Sequence, residues 1–216
     1  MKRQQMDGRR AKRWIVGGCA LAWACGAFGA DALPENVWIA PGGGSWDDAA
    51  NWSNPALVAE RQPFFAVFTN ASPQADAPLT VTNETEDVVL YGLRYAVAWT
   101  GDGSWNYLRL VGKEGSAGAQ LFTYRPHAAL GGRARLDVAA GATVWLDGTL
   151  ARESGVVEKT GHGMLGFRSG APSPISLRIS GGFAEPFTAL ALASADVSLE
   201  SASSFTVPSG VTVERR

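Results

Sequence analysis

Apolar and polar residues alternate with a period of two along much of the chain, most regularly in its second half. In an extended strand this period puts one row of side chains inward and one row outward. The pattern predicts strands at residues 136–138, 144–146, 165–167, 175–179, 197–199 and 211–213, with earlier ones at 66–69, 79–82, 88–91 and 107–111. No window keeps a helical period for three turns, and only residues 54–61 indicate a short turn of helix. The chain is therefore expected to be all-β, with one-sided strands.

Two all-β architectures fit short strands that are separated by turn residues. An antiparallel β-sandwich or jelly roll is the usual interpretation of strands at this spacing. A parallel solenoid gives the same pattern, with Gly-rich corners between its strands. The dipeptide Asp147-Gly148 lies between apolar runs and is a strong hairpin signal, which favours antiparallel pairing. Taken without any resemblance to other proteins, the composition slightly favours the sandwich.

The first thirty residues differ in kind from the rest. A cationic start is followed by an uncharged apolar run over residues 14–30 and by small residues around the predicted cleavage sites after Gly29 and Ala32. This order is typical of a secretory signal peptide. A retained membrane anchor is the less favoured alternative, because a spanning helix needs about 20 apolar residues. Lipidation at Cys19 is a minor alternative. We expect a secreted or cell-surface protein, extracellular or associated with an outer membrane, whose mature chain does not span a membrane.

Removal of residues 1–30 lowers Lys plus Arg from 19 to 13 and Asp plus Glu from 20 to 19, so the net charge becomes −6. This charge lacks the basic footprint of a nucleic-acid-binding protein. Both cysteines, Cys19 and Cys25, lie in the leader. The mature chain therefore forms no disulfide, and its stability must come from burial and backbone pairing.

A glycine-hinged segment at residues 155–170 contains two short strand-like runs, with Lys159 in the first and the sequence Gly161-His162-Gly163 between them. The segment resembles the autotransporter-associated β-strand repeat of large secreted bacterial proteins, including those of Verrucomicrobia- and Planctomycetes-like bacteria. Residues 136–144 look like a strand and corner of the same family, and residues 64–68 like a short strand that often follows its N-terminal opening. The residues that carry the resemblance are Gly155, Lys159, Gly161, Gly163, Leu165, Phe167 and Gly170, together with Trp38, Trp46 and Trp52 of a Trp- and Gly-rich opening.

The resemblance implies a right-handed parallel β-helix. It implies an N-terminal cap at residues 31–60, whose three tryptophans close the open end and block edge pairing, followed by solenoid coils over residues 61–216. The family's usual continuation is missing after Gly170, so the resemblance does not reach the later coils. The chain is therefore expected to be a short relative or a fragment.

Exposed tryptophans are the candidate ligand-binding residues, because an indole face can stack on the C–H surface of a sugar. Trp145 is the first candidate, since its neighbours Val144 and Leu146 take the inward row. Trp99 and Trp105 are the others, in a Gly- and Asp-containing stretch. Packing in turns and at the end of the core is the commoner role of a large aromatic side chain.

The residue types of a catalytic or metal site are sparse. His127 and His162 are the only histidines, and nothing puts a nucleophile or further zinc ligands beside them. No cofactor is expected, and the protein is not expected to be an enzyme. The expected function is a non-catalytic structural or adhesive role, with extracellular glycan or cell-surface components as partners. A carbohydrate-binding module is the alternative, and a polysaccharide-degrading enzyme ranks last.

Overall fold

The fold is built from short strands that stack in parallel along one axis. A computed structural model describes residues 33–85, 88–97, 103–112, 120–152, 155–188, 191–193, 195–200 and 203–206. The predicted signal peptide, Trp99 and the strand predicted at residues 211–213 lie outside these residues. Between the named strands every pairing is parallel.

The strands form three sheets, which we number in the order that the chain first enters them. Sheet 1 contains β1 (Glu35–Val37), β3 (Phe65–Phe68), β6 (Gly92–Tyr95), β9 (Arg133–Val138), β12 (Val156–Thr160), β14 (Ser176–Ile179) and β16 (Asp196–Leu199). Sheet 2 contains β2 (Gly44–Ser45), β4 (Leu79–Thr82), β7 (Asn106–Val111), β10 (Ala142–Asp147), β13 (Met164–Phe167), β15 (Gly182–Pro186) and β17 (Ser203–Phe205). Sheet 3 contains β5 (Val89–Leu90), β8 (Gln120–Tyr124) and β11 (Thr149–Arg152).

Each pass of the chain adds one strand to sheet 1 and one to sheet 2, and three passes also add a strand to sheet 3. The predicted parallel β-helix is therefore confirmed, and the antiparallel sandwich is wrong. The hairpin signal at Asp147-Gly148 is a corner instead, since β10 ends at Asp147 in sheet 2 and β11 begins at Thr149 in sheet 3. Strands β14 to β17 continue the stack past Gly170, where the sequence resemblance ended.

Helical structure is brief in the described part of the chain. Helix α1 (Pro55–Ala59) lies within the predicted turn at residues 54–61 and buries Leu57. Two 3-10 turns, Ala49–Asn51 and Ala128–Leu130, lie at corners. Among the described residues, no helix has the length and apolarity needed to cross a membrane.

The core consists of columns of side chains that stack from coil to coil. One column in sheet 2 runs through Leu79, Leu108, Val144, Leu165 and Ala184, all buried. A coil that stands alone cannot cover its own inward row, so each coil depends on its neighbours for burial. This dependence explains why the one-sided alternation is repeated along the chain.

The N-terminal end of the core is filled by indole rings. Trp38, Trp46 and Trp52 are buried, and the ring centroids of Trp46 and Trp52 lie 4.8 Å apart. Trp46 also packs against Phe122 of β8, with centroids 5.0 Å apart. The indole N–H of Trp52 donates to the carbonyl of Trp46 at 2.9 Å, so the buried polar atom is satisfied.

A backbone clasp at residues 51–54 covers the free edge of β1. The amide of Ser53 donates to the Val37 carbonyl, and the amide of Ile39 donates to the Asn51 carbonyl, each at 2.8 Å. The buried Asn36 side chain accepts from the Asn54 amide at 2.9 Å. Edge pairing at β1 is thus blocked by backbone hydrogen bonds, while the tryptophan rings fill the core behind it.

Candidate functional site

The outer face of sheet 2 carries an unusual number of aromatic side chains for a solvated sheet. Trp145 points outward from β10, because Val144 and Leu146 on either side of it are fully buried. The structure thus gives Trp145 the outward orientation that the alternation predicts. Arg109 of β7 lies directly across from Trp145, and Tyr107 is its diagonal neighbour, with a ring centroid 5.1 Å from that of Trp145.

Phe187 continues this arrangement beyond β15. Its amide donates to the Phe167 carbonyl at 2.8 Å, which extends the ladder between β13 and β15 and fixes where the side chain emerges. Gly166 lies between Phe187 and Trp145. A Cβ atom there would be 2.7 Å from a ring atom of Phe187 and 2.8 Å from one of Trp145. The absence of a side chain at Gly166 therefore lets the two rings approach each other.

We call Tyr107, Trp145 and Phe187 the aromatic ridge. It crosses three strand spacings, about 14 Å along the axis at the usual separation of paired strands. Phe187 is 50% exposed, and Phe183, four residues earlier on the same face, is 51% exposed, whereas Tyr107 and Trp145 are half-buried. Exposed apolar groups that are contiguous and rimmed by polar residues mark binding surfaces more often than isolated ones do.

Charged side chains border the ridge around Asp147. Arg109 donates through Nε to Asp147 Oδ2 at 2.6 Å, and its Nη2 lies 2.5 Å from the same oxygen. Arg168 approaches from β13, since its amide donates to the Leu146 carbonyl and extends that ladder by one residue. The guanidinium carbon of Arg168 lies 4.8 Å from the Trp145 ring centroid.

Two buried polar atoms beside Arg168 have no hydrogen-bond partner among the described residues, and both are on β10. They are the indole Nε1 of Trp145 and Oδ1 of Asp147. Arg168 Nε lies 3.6 Å from this Oδ1, which is beyond hydrogen-bond distance. Unpaired buried polar atoms are rare and costly, so their occurrence together draws attention to this part of the surface.

The other two candidate tryptophans are not part of the ridge. Trp105 is 38% exposed and precedes β7 by one residue. It is two residues from Tyr107, so by strand parity it faces the same side. Trp99 lies outside the described residues. Sequence patterns do not indicate Arg168, Phe187 or Gly166, because strand register alone brings these residues to Trp145.

The glycines of the resembling segment form corners where coils touch. Gly161 has φ = 74°, and a Cβ atom on it would lie 2.2 Å from the Val138 carbonyl oxygen. A Cβ atom on Gly163 would lie 2.2 Å from the Ala139 carbonyl oxygen. Gly155 also has a positive φ of 83°, whereas Gly170 is exposed with open space around it. Leu165 and Phe167 of the same segment are buried in the core.

Lys159 is buried completely in the inward row of β12, between Leu136 and Ile179 of the adjacent strands. Its Nζ donates to the carbonyls of Gly161 at 2.7 Å and Gly181 at 2.9 Å. Burial lowers the pKa of Lys159 to about 8, although the charge of Asp137 opposes this shift. The lysine thus joins the corners of two successive coils from inside the core.

Glu158, beside Lys159 but outward, is at the centre of an ion-pair network on sheet 1. It is only 5% exposed, and its Oε1 accepts from Arg133 at 2.9 Å. Arg135 and Arg178, its partners on the adjacent strands, approach to 3.6 and 3.9 Å. Arg178 also pairs with Glu200, and a separate group joins Arg94 of β6 to Glu35 of β1 and Asp137 of β9. These ion pairs hold successive coils together on the outer face of sheet 1.

Both histidines lie at corners. His127 Nδ1 accepts from the Ala129 amide at 3.2 Å and so caps the 3-10 turn that follows it. His162 is exposed between Gly161 and Gly163. In the part of the chain that the structure describes, no three His, Cys, Asp or Glu side chains are grouped closely enough to hold a metal ion.

The aromatic ridge and its charged border are therefore the strongest candidate site on the described surface. Comparison of the chain with protein-family models, with curated proteins and with solved structures finds no match.

Proposed function

We propose that this protein is a non-catalytic, secreted or surface-displayed β-solenoid with an adhesive role, and that the aromatic ridge binds extracellular carbohydrate. The observation that carries the proposal is the outward Trp145, flanked by Tyr107 and Phe187 on one face of a rigid sheet. Aromatic side chains offer large apolar faces at a small cost in conformational entropy, which suits them to the C–H faces of sugar rings.

The predicted signal peptide supports this choice of ligand. A protein that is exported by such a peptide is exposed to the polysaccharides on the surface of its own cell and of neighbouring cells. The family proposal points the same way: the segment at residues 155–170 resembles the autotransporter-associated repeat of secreted bacterial proteins. Strands β12 and β13, each paired in parallel with the neighbouring strands of its own sheet, and the corner glycines between them support that proposal.

The shape of the ridge favours an extended ligand. A row of rings about 14 Å long matches several sugar units rather than one. Shallow surfaces of this kind hold a polymer by several weak contacts, whereas small-molecule sites are concave and enclosed. An adhesive solenoid needs only the first kind of contact, because attachment at many points raises the total affinity.

The test is binding of the purified protein to a glycan array, compared with the variant Trp145→Ala. We expect the variant to lose at least about tenfold in affinity for the glycans that the wild type retains, which corresponds to one well-buried stacking contact. The variant Ile39→Ala is the control, since Ile39 is a large apolar residue that is 56% exposed and lies beside the N-terminal clasp, away from the ridge.

The control must bind like the wild type, and Trp145→Ala must unfold as cooperatively as the wild type in urea. Glycan retention that is unchanged in Trp145→Ala would show that the ridge is not the binding surface. If the wild type binds no glycan on the array, a purely structural role describes the protein better.

A further inference from the structure

We propose that Arg168 covers a hydroxyl-binding subsite formed by Trp145 and Asp147, and that a neutral saccharide displaces the arginine when it binds. This inference rests on the proposed carbohydrate function and adds the chemistry of one subsite within it. It accounts for two orphaned polar atoms that the aromatic ridge alone does not explain.

Arg168 lies against both side chains but forms a hydrogen bond with neither atom. Its guanidinium lies over the Trp145 ring at 4.8 Å, and its Nε stays 3.6 Å from Asp147 Oδ1. The indole Nε1 and this oxygen are buried without a partner among the described residues. Removal of the cover would return both atoms to solvent or to a ligand, and thereby relieve the desolvation penalty that they carry.

The rest of the site does not need Arg168 in order to keep its shape. Asp147 remains held by Arg109, which donates to its other oxygen, Oδ2, at 2.6 Å. Trp145 remains packed against Tyr107, and β10 is paired with β7 and β13 on both sides. The Arg168 side chain itself is 37% exposed, so it can leave without disturbing the core.

The uncovered subsite has the groups that a pyranose ring requires. The indole offers a flat face for C–H groups, Nε1–H offers a hydrogen-bond donor, and Asp147 Oδ1 offers an acceptor. Trp145 and Asp147 are two residues apart on one strand, so their side chains emerge on the same face about 7 Å apart. Adjacent sugar hydroxyls can accept from the first group and donate to the second.

The charge around the subsite favours a neutral ligand. Arg109 and Arg168 are balanced by Asp147 and by Glu185, which pairs with Gly166 in the outward row. Asp147 would repel a carboxylate at the position of the leaving arginine. An acidic polysaccharide would instead bind to Arg168 in its present position. Neutral and acidic polysaccharides therefore differ in whether the arginine competes with the ligand or contacts it.

The experiment measures the dissociation constants of cellohexaose, xylohexaose and an oligogalacturonate for the wild type, Arg168→Ala and Arg168→Gln. We expect both variants to bind at least one neutral hexasaccharide roughly tenfold more tightly than the wild type, since the ligand no longer competes with a cation–π contact. Trp145→Ala should abolish that binding in either background. Indole N–H exchange, measured by NMR, should be faster for Trp145 in Arg168→Ala than in the wild type.

Each other result overturns the inference in a distinct way. If the two Arg168 variants bind both neutral hexasaccharides no more tightly than the wild type does, Arg168 does not cover a subsite. The proposed function still stands in that case, as long as Trp145→Ala loses binding. Tighter wild-type binding of the oligogalacturonate, lost in Arg168→Ala, makes the arginine a ligand contact. Failure of all the proteins to bind any of the three probes refutes the subsite, and the glycan array then decides the proposed function separately.

Discussion

Replacement of Lys159 by methionine tests whether a charged amine inside the core has the energetic effect that its surroundings imply. Burial lowers the pKa of Lys159 from 10.5 to about 8. The unfolded chain therefore binds the proton more tightly than the folded protein does. Below pH 8 both states carry it, and the folded state bears a full penalty of about 3 kcal/mol, at about 1.4 kcal/mol per pKa unit.

The sign of the pH dependence follows from this difference. Between pH 8 and 10.5 the folded protein releases the proton while the unfolded chain keeps it, so the stability of the wild type rises with pH. From pH 7.5 to 9.5 the rise amounts to about 2 kcal/mol. Lys159→Met lacks the titrating group and shows no such rise. At neutral pH its stability differs less, because it escapes the desolvation penalty but leaves the carbonyls of Gly161 and Gly181 without their donor.

The assay is urea unfolding of both proteins, followed by tryptophan fluorescence, at several pH values from 7.5 to 9.5. Leu136→Met is the matched control, since Leu136 pairs directly with Lys159 in the same inward row. It should keep the wild-type slope. Burial raises the pKa of the Tyr95 and Tyr124 hydroxyls, but their effect is common to all three proteins and cancels in the differences. Parallel pH profiles for the wild type and Lys159→Met would refute the reasoning.

Three further predictions, one of them with a control substitution, have defined outcomes. Glu158→Gln removes the anion shared by three arginines, and it should lower the free energy of unfolding by about 1–3 kcal/mol. The loss should be smaller in 1 M NaCl than in low salt. A loss that does not depend on salt would argue against charge as the cause. Gly163→Ala should destabilise the fold by at least about 2 kcal/mol because its Cβ would meet backbone oxygens, whereas Gly170→Ala, with open space around it, should be neutral in the same thermal melts. Gly166→Ala should weaken glycan binding with little change in melting temperature, since its Cβ displaces side chains of the ridge, including Trp145, rather than backbone; unchanged binding would show that the ring spacing does not matter.

The sequence predicted individual strands better than their partners. Alternation identified β10, β13 and β14, because one-sided strands have a local signature. It missed β8, whose Leu121, Phe122 and Tyr124 are all buried and therefore do not alternate. Parallel pairing joins residues that are 19 or more positions apart and leaves no local pattern in the sequence. The Asp147-Gly148 signal failed for that reason, since the same dipeptide suits a hairpin and a corner.

In the candidate site, too, features of a single strand could be predicted from the sequence, whereas contacts between strands could not. The outward orientation of Trp145 follows from parity within its own strand, which the sequence displays directly. Arg168 and Phe187 reach it only through the register of β13 and β15, so no spacing along the chain could reveal them. Lys159 is a related case. Its parity with Val157 assigns it to the inward row, but the carbonyls that accept from it belong to two different coils.

The clasp at residues 51–54 makes the two ends of the stack unequal. At the clasp, β1 is hydrogen-bonded on both edges, whereas β16 at the far side of sheet 1 leaves Leu199 49% exposed. In an array held together by neighbour contacts, coils detach most easily where they have one neighbour only. Within the part of the chain that the structure describes, β16 has a strand partner on one edge only, so its amide protons should exchange before those of β1.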